Sequence, residues 1–85
     1  MPRYLAELYL SRAGGDLQAV VARARAAAAD LSRGGRPVRC LRSIFVPAEE
    51  TWFLLYDAPS SAAVEAALEH AALPCERVLE AVTEP

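Results

Sequence analysis

The fold is decided by residues 16–57, which read DLQAVVARARAAAADLSRGGRPVRCLRSIFVPAEETWFLLYD. Over 16–33, apolar side chains recur at three- and four-residue spacing, which predicts an amphipathic helix. Asp16 is typical of a helix N-cap, and Gly34-Gly35 with Pro37 predicts where the helix ends. The apolar stretches 38–46 and 51–57 follow, and the short link between them predicts a hairpin of antiparallel strands.

Similar patterns lie on both sides of this segment. Residues 3–10 and 77–82 are predicted strands, 11–15 a glycine-containing turn, and 60–72 a second helix that begins at Ser60 and stops before Pro74. The order is therefore strand, helix, strand, strand, helix, strand. It predicts one α+β domain over 1–85 with the ferredoxin-like βαββαβ fold, in which two helices cover one face of a four-stranded antiparallel sheet.

Composition and charge limit the partners and the cellular location that we expect for this chain. The chain has 85 residues and a net charge of −2, which gives no basic field for nucleic acid. No segment approaches the ~20 apolar residues of a membrane span, and a strand follows Met1 with no room for a signal peptide. We therefore expect a cytoplasmic protein. Cys40 is on one predicted edge strand and Cys75 lies just before the other, which is too far apart for a disulfide, and we expect free thiols.

Alternation along each strand sorts side chains between the helix-covered face and an open face. Because the covered face should be nearly free of charge, the set of alternating side chains that contains an acid is expected to lie on the open face. The assignment places these side chains under the helices: Tyr4, Ala6, Leu8, Leu10, Leu41, Phe45, Phe53, Leu55, Leu79 and Ala81. It places these on the open face: Leu5, Glu7, Tyr9, Cys40, Arg42, Ile44, Trp52, Leu54, Tyr56, Val78, Glu80 and Val82.

This open face is too apolar for a soluble monomer, since it exposes on the order of several hundred Å² of apolar surface. A second copy packed sheet to sheet about a two-fold axis is the simplest cover. The sequence therefore predicts a homodimer, a dimeric α/β barrel with a cavity between the sheets. The predicted ligand-binding residues of that cavity are Tyr9, Arg42, Trp52, Leu54 and Tyr56.

Charged residues on a face that becomes buried need an explanation, because an unpaired buried charge is costly. Glu7, Arg42 and Glu80 form an ion pair that fixes the register of the dimer, or remain in water at the margin of the sheet, or orient a ligand. If the protein is an enzyme, Glu7, Tyr9, Arg42 and Glu80 are the candidate catalytic residues, with a carboxylate or tyrosine as general acid or base.

The one histidine, His70, flanks the apolar stripe of the second helix. It is either a half-buried surface group or a metal ligand, since imidazole binds nickel, copper and zinc. A single histidine and the lack of a Gly-x-Ser-x-Gly turn argue against a catalytic triad.

Short motifs also resemble a family of small bacterial proteins of unknown function. They are Met1-Pro2-Arg3-Tyr4-Leu5, Ser43, Tyr56-Asp57-Ala58-Pro59-Ser60, and Glu69-His70-Ala71 with Pro74. The resemblance implies a ferredoxin-like dimer and, because one branch of the family is described as nickel-binding, a divalent transition metal with His70 as its ligand.

Three classes of function remain open. The first is a binding protein for a small molecule or a metal ion such as nickel, in or beside the dimer barrel. The alternative is a dimeric α/β-barrel enzyme of a biosynthetic pathway, such as a cofactor-free oxygenase, cyclase or isomerase. The third is a structural or regulatory dimer without a ligand. The sequence ranks binding ahead of catalysis and does not name a ligand.

Overall fold

The computed structural model describes residues 1–9 and 16–84. Its elements follow the predicted order of strands and helices. They are β1 (Arg3–Tyr9), α1 (Leu17–Arg33), β2 (Arg39–Val46), a short 3-10 helix (Pro47–Glu49), β3 (Thr51–Asp57), α2 (Ser61–His70) and β4 (Arg77–Ala81). The predicted strand residue Leu10 and the predicted turn over 11–15 lie outside the described residues.

The four strands form one antiparallel sheet in the order β2-β3-β1-β4. This confirms the ferredoxin-like arrangement, with β2 and β4 as the two edges. Cys40 on β2 and Cys75 before β4 are both free thiols, as expected from their places at opposite edges. Within the described residues, no helix is both long enough and apolar enough to cross a membrane.

Both predicted helix caps are present. The Asp16 carboxylate accepts a hydrogen bond from the Gln18 amide at 3.0 Å, and the Ser60 hydroxyl accepts one from the Ala63 amide at 3.3 Å. At the end of α1, Gly35 adopts a φ of 91°, and the Arg36 amide donates to the Leu31 carbonyl at 2.9 Å. These contacts satisfy the last carbonyls of the helix, so the glycine pair ends α1 as predicted.

The end of α2 has the same geometry without a glycine. Ala72 lies in the left-handed region with a φ of 58°, and the Leu73 amide donates to the Leu68 carbonyl at 3.0 Å. Arg23 of α1 donates from Nη2 to the carbonyls of Ala71 and Ala72, at 2.8 and 3.0 Å. The guanidinium therefore ties α1 to the end of α2 and holds a backbone conformation that alanine does not favour.

The core lies between the two helices and one face of the sheet. Register decides which strand residues enter it, because cross-strand partners share a face. Ala6 of β1 is opposite Leu54 of β3, and Leu8 is opposite Trp52. The inward positions of Tyr4, Ala6 and Leu8 are therefore confirmed, Leu10 lies outside the described residues, and the assignment of β3 is wrong. Trp52, Leu54 and Tyr56 lie under the helices with 0% exposure.

The inversion of β3 has a physical cause. Residues 52–56 read WFLLY, so neither alternating set contains a charge, and a rule based on charge has nothing to act on. Packing volume decides instead, because the two largest side chains of the strand fill the space beneath the helices. Trp52 also meets Phe45 of β2 edge to face, with ring centroids 6.4 Å apart. The inward assignment of Phe45 is confirmed by that contact.

The edge strands show further differences from the prediction. In β4, Val78 packs against the core, while Leu79 is 47% exposed on the open face and Ala81 lies opposite Arg3. Glu80 lies opposite Tyr4, so it shares the helix-covered side and is exposed at its margin. Val82, predicted to end the strand, follows β4 and is 91% exposed.

In β2, the register shifts between Cys40 and Arg42. Cys40 consequently packs against the core, contrary to its predicted place on the open face, whereas Arg42 and Ile44 do lie on that face. Leu41, predicted to face the helices, sits at the shift itself. A one-residue irregularity of this kind exchanges the two faces, and alternation alone does not locate it.

Candidate ligand groove on the open sheet face

The residues on the open face differ from the predicted ones, but the face is still apolar. Its register positions are those that alternate with the buried residues of each strand. Ile44 and Leu79 are about half exposed, at 46% and 47%, and the other large apolar groups are partly exposed. The apolar members of this face are Leu5, Leu41, Ile44, Phe53, Leu55 and Leu79.

A groove of about 700 Å³ lies on this face, between β2, β3, the start of β1 and the segment after β4. We call it the open-face groove. Leu41, Ile44 and Leu55 supply its apolar surface, and the remaining groups are polar or charged. The polar lining residues are Arg3, Arg42, Thr83 and Glu84.

Two guanidinium groups reach this groove from the strands on either side of β3. Arg3 of β1 donates from Nη1 to the Thr83 hydroxyl at 2.5 Å. Because this acceptor is neutral, the hydrogen bond does not compensate the charge of the guanidinium. The Arg42 side chain of β2 has no hydrogen-bond or ion-pair partner anywhere in residues 1–9 and 16–84. Glu84 is the one acidic residue of the lining, so the groove has a net positive charge.

Elsewhere on the open face, Glu7 is already paired within the chain. Arg77 of β4 donates from Nε to Glu7 Oε1 at 2.6 Å, and the two residues are cross-strand partners. The Glu7 side chain is only 15% exposed. An ion pair within the chain therefore accounts for the charge of Glu7 on this face, and its cation is Arg77 rather than Arg42.

The candidate catalytic residues do not converge. Glu7 and Arg42 lie on strands separated by β3, about 10 Å apart across the sheet. Tyr9 lies at the end of β1, 36% exposed, opposite Thr51. Glu80 lies on the other side of the sheet from Glu7, so the structure does not bring these four residues into one acid–base site.

Four of the five predicted ligand-binding residues lie away from the groove, because Tyr9 is at the far end of β1 and Trp52, Leu54 and Tyr56 are buried on the helix side. Trp52 Nε1 and the Tyr56 hydroxyl make no hydrogen bond of ordinary geometry with any described residue. Burial raises the pKa of the Tyr56 hydroxyl, and the neighbouring Cys40 thiol raises it further. Burial also raises the pKa of Cys40, an effect that the charge of Arg25 partly offsets. These groups are neutral core components.

His70 lies on the helical layer, remote from the open face. Its Nε2 is 3.3 Å from Asp30 Oδ2 of α1, and Asp30 also pairs with Arg33. The described residues contain no group of three histidine, cysteine or acidic side chains placed to hold a metal ion. In the part of the chain that the structure describes, the acidic group next to His70 is Asp30, and these two are fewer than the four ligands of a structural zinc site.

The sequence placed Arg42 and Ile44 on the open face, where they line the groove, and it missed five other lining residues. These are Arg3, Leu41, Leu55, Thr83 and Glu84. Arg3 could have been found, because it alternates in phase with Leu5 and Glu7. The inverted β3 hid Leu55. Thr83 and Glu84 follow the last strand, where the alternation rule no longer applies.

Comparison with known proteins agrees with this architecture and supplies no function. No protein-family model matches the chain, and no curated protein matches it. Among solved structures, the crystal structure of SCO4226 from Streptomyces coelicolor A3(2) is similar, with a TM-score of 0.70 and 18% sequence identity. The match covers 98% of this chain and 99% of that one. The chain is thus a small α+β protein with the ferredoxin-like fold, similar over its length to a Streptomyces protein.

Proposed function

We propose that this chain is one half of a homodimeric small-molecule-binding protein whose ligand occupies the open-face groove. The observation that carries the proposal is the groove itself, which joins an apolar wall to two arginines on a sheet face that no helix covers. The volume of this groove lies within the range of ligand sites, and such sites combine apolar walls with polar groups that orient the ligand.

A second copy of the chain is the proposed cover for the open face. Four strands of about seven residues, about 4.8 Å apart and rising about 3.3 Å per residue, make a flat face on the order of 400–450 Å². Side-chain relief enlarges this area. Two such faces bury on the order of 1,000 Å², which reaches the lower range of specific interfaces. A two-fold axis applies the same apolar residues to themselves.

The charges on the face are compatible with this packing. Glu7 and Arg77 neutralise each other within one chain, so covering them leaves no unpaired ion. Arg42 and Arg3 are not compensated in this way, because Arg42 has no partner among the described residues and Arg3 donates to a neutral hydroxyl. In the proposed dimer a bound ligand supplies the compensation, and the groove becomes a chamber between the sheets.

Light scattering tests the dimer. We expect a mass about twice the 9.2 kDa of one chain at micromolar concentration. Ile44→Glu places a charge within the proposed interface and is expected to give a monomer. Leu17→Glu is the matched control, because Leu17 is similarly exposed, at 41%, on α1. A monomeric wild type, or equal effects of the two variants, contradicts the proposal.

A neutral fluorescent probe tests the site separately. N-phenylnaphthylamine, which brightens in apolar surroundings, is expected to bind the wild type and the Leu17→Glu variant, and to lose binding in Ile44→Glu. If a proven dimer does not bind the probe, the chamber is a packed core and the structural-dimer class is correct.

The metal and enzyme alternatives stay predictions. Calorimetric titration with nickel, copper and zinc, repeated on His70→Ala, tests the metal hypothesis, which requires further ligands beyond His70 and Asp30. The enzyme alternative has no converging acid–base pair in the described residues to favour it.

A further inference from the structure

We infer that the ligand of the open-face groove is a small amphiphile with an anionic head group and a hydrocarbon body. This inference rests on the proposed function and adds the chemical class of the ligand. It is carried by the arrangement of charge and apolar surface in the groove, and by the partners that its two arginines have.

The positions of the two guanidiniums define the head-group end. Arg42 is the cross-strand partner of Leu55, and Arg3 is the partner of Asp57, two residues further along β3. The two arginines therefore flank the same segment of β3 from opposite sides. An anion above Leu55 is within reach of both long side chains, and a carboxylate or phosphate offers oxygens for two guanidiniums.

The electrostatic environment leaves this end positive, because its two guanidiniums outnumber the one carboxylate of the described lining, Glu84. Arg42 has no partner among the described residues, and Arg3 is held by a hydroxyl rather than by a carboxylate. The nearest acid along β3, Asp57, faces the N-terminal amine at 3.9 Å. An anionic head group is a stronger acceptor than the Thr83 hydroxyl, so it displaces Thr83 from Arg3 and also neutralises Arg42.

The apolar part of the groove favours a hydrocarbon body for the ligand. Leu41, Ile44 and Leu55 provide apolar contact without a hydrogen-bonding group of their side chains. A sugar or an amino acid would leave its polar groups unsatisfied against these side chains. An unbranched hydrocarbon chain gains burial along the same surface, which extends over the open face toward Phe53 and Leu5.

The test compares four ligands with one decyl chain and different head groups, at concentrations where each is monomeric. They are decanoate, decyl phosphate, decanol and decyltrimethylammonium, measured by displacement of N-phenylnaphthylamine and by calorimetry. We expect at least one anion to bind about tenfold or more tightly than decanol, and the cation to bind weakest. The better of the two anions identifies the head group.

Variants assign the effect to the groove. Arg42→Gln is expected to weaken binding of the anions about tenfold and to leave decanol unchanged. Arg36→Gln removes an equal charge from the exposed loop before β2 and is the matched control, with no effect on affinity expected. Circular dichroism and light scattering verify that both variants keep the fold and mass of the wild type.

The outcomes separate the two proposals. If decanol or the cation binds as tightly as both anions, or if Arg36→Gln weakens the anions as much as Arg42→Gln does, the anionic class is wrong while the groove remains a site. If none of the four binds, the inference is wrong, and the mass and the probe measurement then decide whether the proposed function also fails.

Discussion

Arg77 donates to the Glu7 carboxylate at 2.6 Å across β1 and β4, and this contact neutralises the most buried charge of the open face. The carboxylate retains 15% exposure, whereas the arginine is 63% exposed. Loss of the pair should therefore cost more at Glu7 than at Arg77. Water can solvate the exposed guanidinium, but it has little access to the buried carboxylate.

Removing the arginine alone should therefore be costly. We expect Arg77→Met to lower the free energy of unfolding by about 1–2 kcal/mol, because Glu7 is left charged without its partner. Arg33→Met is the matched control, since its pair with Asp30 is exposed and should contribute less than about 0.5 kcal/mol. Urea unfolding at one fixed protein concentration measures both. Equal losses in the two variants would show that Glu7 does not depend on Arg77.

The left-handed residue at the end of α2 gives a prediction of opposite sign. We expect Ala72→Gly to stabilise the protein by about 0.5–1 kcal/mol, because glycine adopts a φ of 58° without the steric cost that alanine bears there. Ala66→Gly, within α2, is the control and should destabilise by about 0.5–1 kcal/mol. The thermal midpoints of the two variants should move in opposite directions, and a loss in both would refute the explanation.

The buried Tyr56 hydroxyl is expected to contribute little to stability. It makes no hydrogen bond of ordinary geometry in the described structure, so Tyr56→Phe removes a desolvated polar atom without losing packing. We expect the unfolding free energy to stay constant or to rise by about 1 kcal/mol. Leu8→Ala, at an equally buried site, should cost about 2–5 kcal/mol. A loss above about 1 kcal/mol in Tyr56→Phe would reveal a hydrogen bond with Cys40 that matters.

The raised pKa values of the two thiols predict that the protein loses stability at alkaline pH. Burial raises the pKa values of Cys40 and Cys75 above their ordinary value of 9.0, and nearby Glu65 and Glu76 add to the effect at Cys75. The unfolded chain therefore releases these protons at a lower pH than the folded chain does. Their contribution is complete below about pH 8.5 and decreases as the pH rises through the ordinary value toward the folded pKa values.

The urea midpoint of the wild type should accordingly fall between pH 8 and pH 10, with pH values set around the ordinary thiol pKa. The Cys40→Ala, Cys75→Ala double variant should show a shallower fall over this interval, leaving the Tyr56 contribution at higher pH. Fluorescence of Trp52, the one tryptophan, reports the transition. Parallel curves for the two proteins would exclude the thiols as the source.

The contact between Arg3 and Thr83 predicts a gain in affinity. Thr83→Val keeps the shape of the side chain and removes the acceptor that competes for the guanidinium. We expect it to tighten binding of the better decyl anion about two- to threefold, with no change for decanol. Weaker anion binding in this variant would mean that Thr83 contacts the ligand instead of competing with it.

The course of the chain could be predicted because its signals are local. Asp16, Ser60 and the Gly34-Gly35 pair mark helix ends through contacts within a few residues, and β-branched and aromatic runs between turns mark the strands. The register position of Glu7 on the open face followed from the charge in β1. In each of these cases, the residues that carry the information are neighbours in the sequence.

The composition of the candidate site depended on contacts between distant segments. The WFLLY run of β3 fits either face by polarity, and its pairing with Ala6 and Leu8 decides that Trp52 lies in the core and Leu55 in the groove. The register shift beside Leu41 and the hydrogen bond from Arg3 to Thr83 likewise depend on contacts between distant segments. Strand alternation divides side chains into two sets but does not say which set faces the helices. Cross-strand register and the volume available beneath the helices decide that.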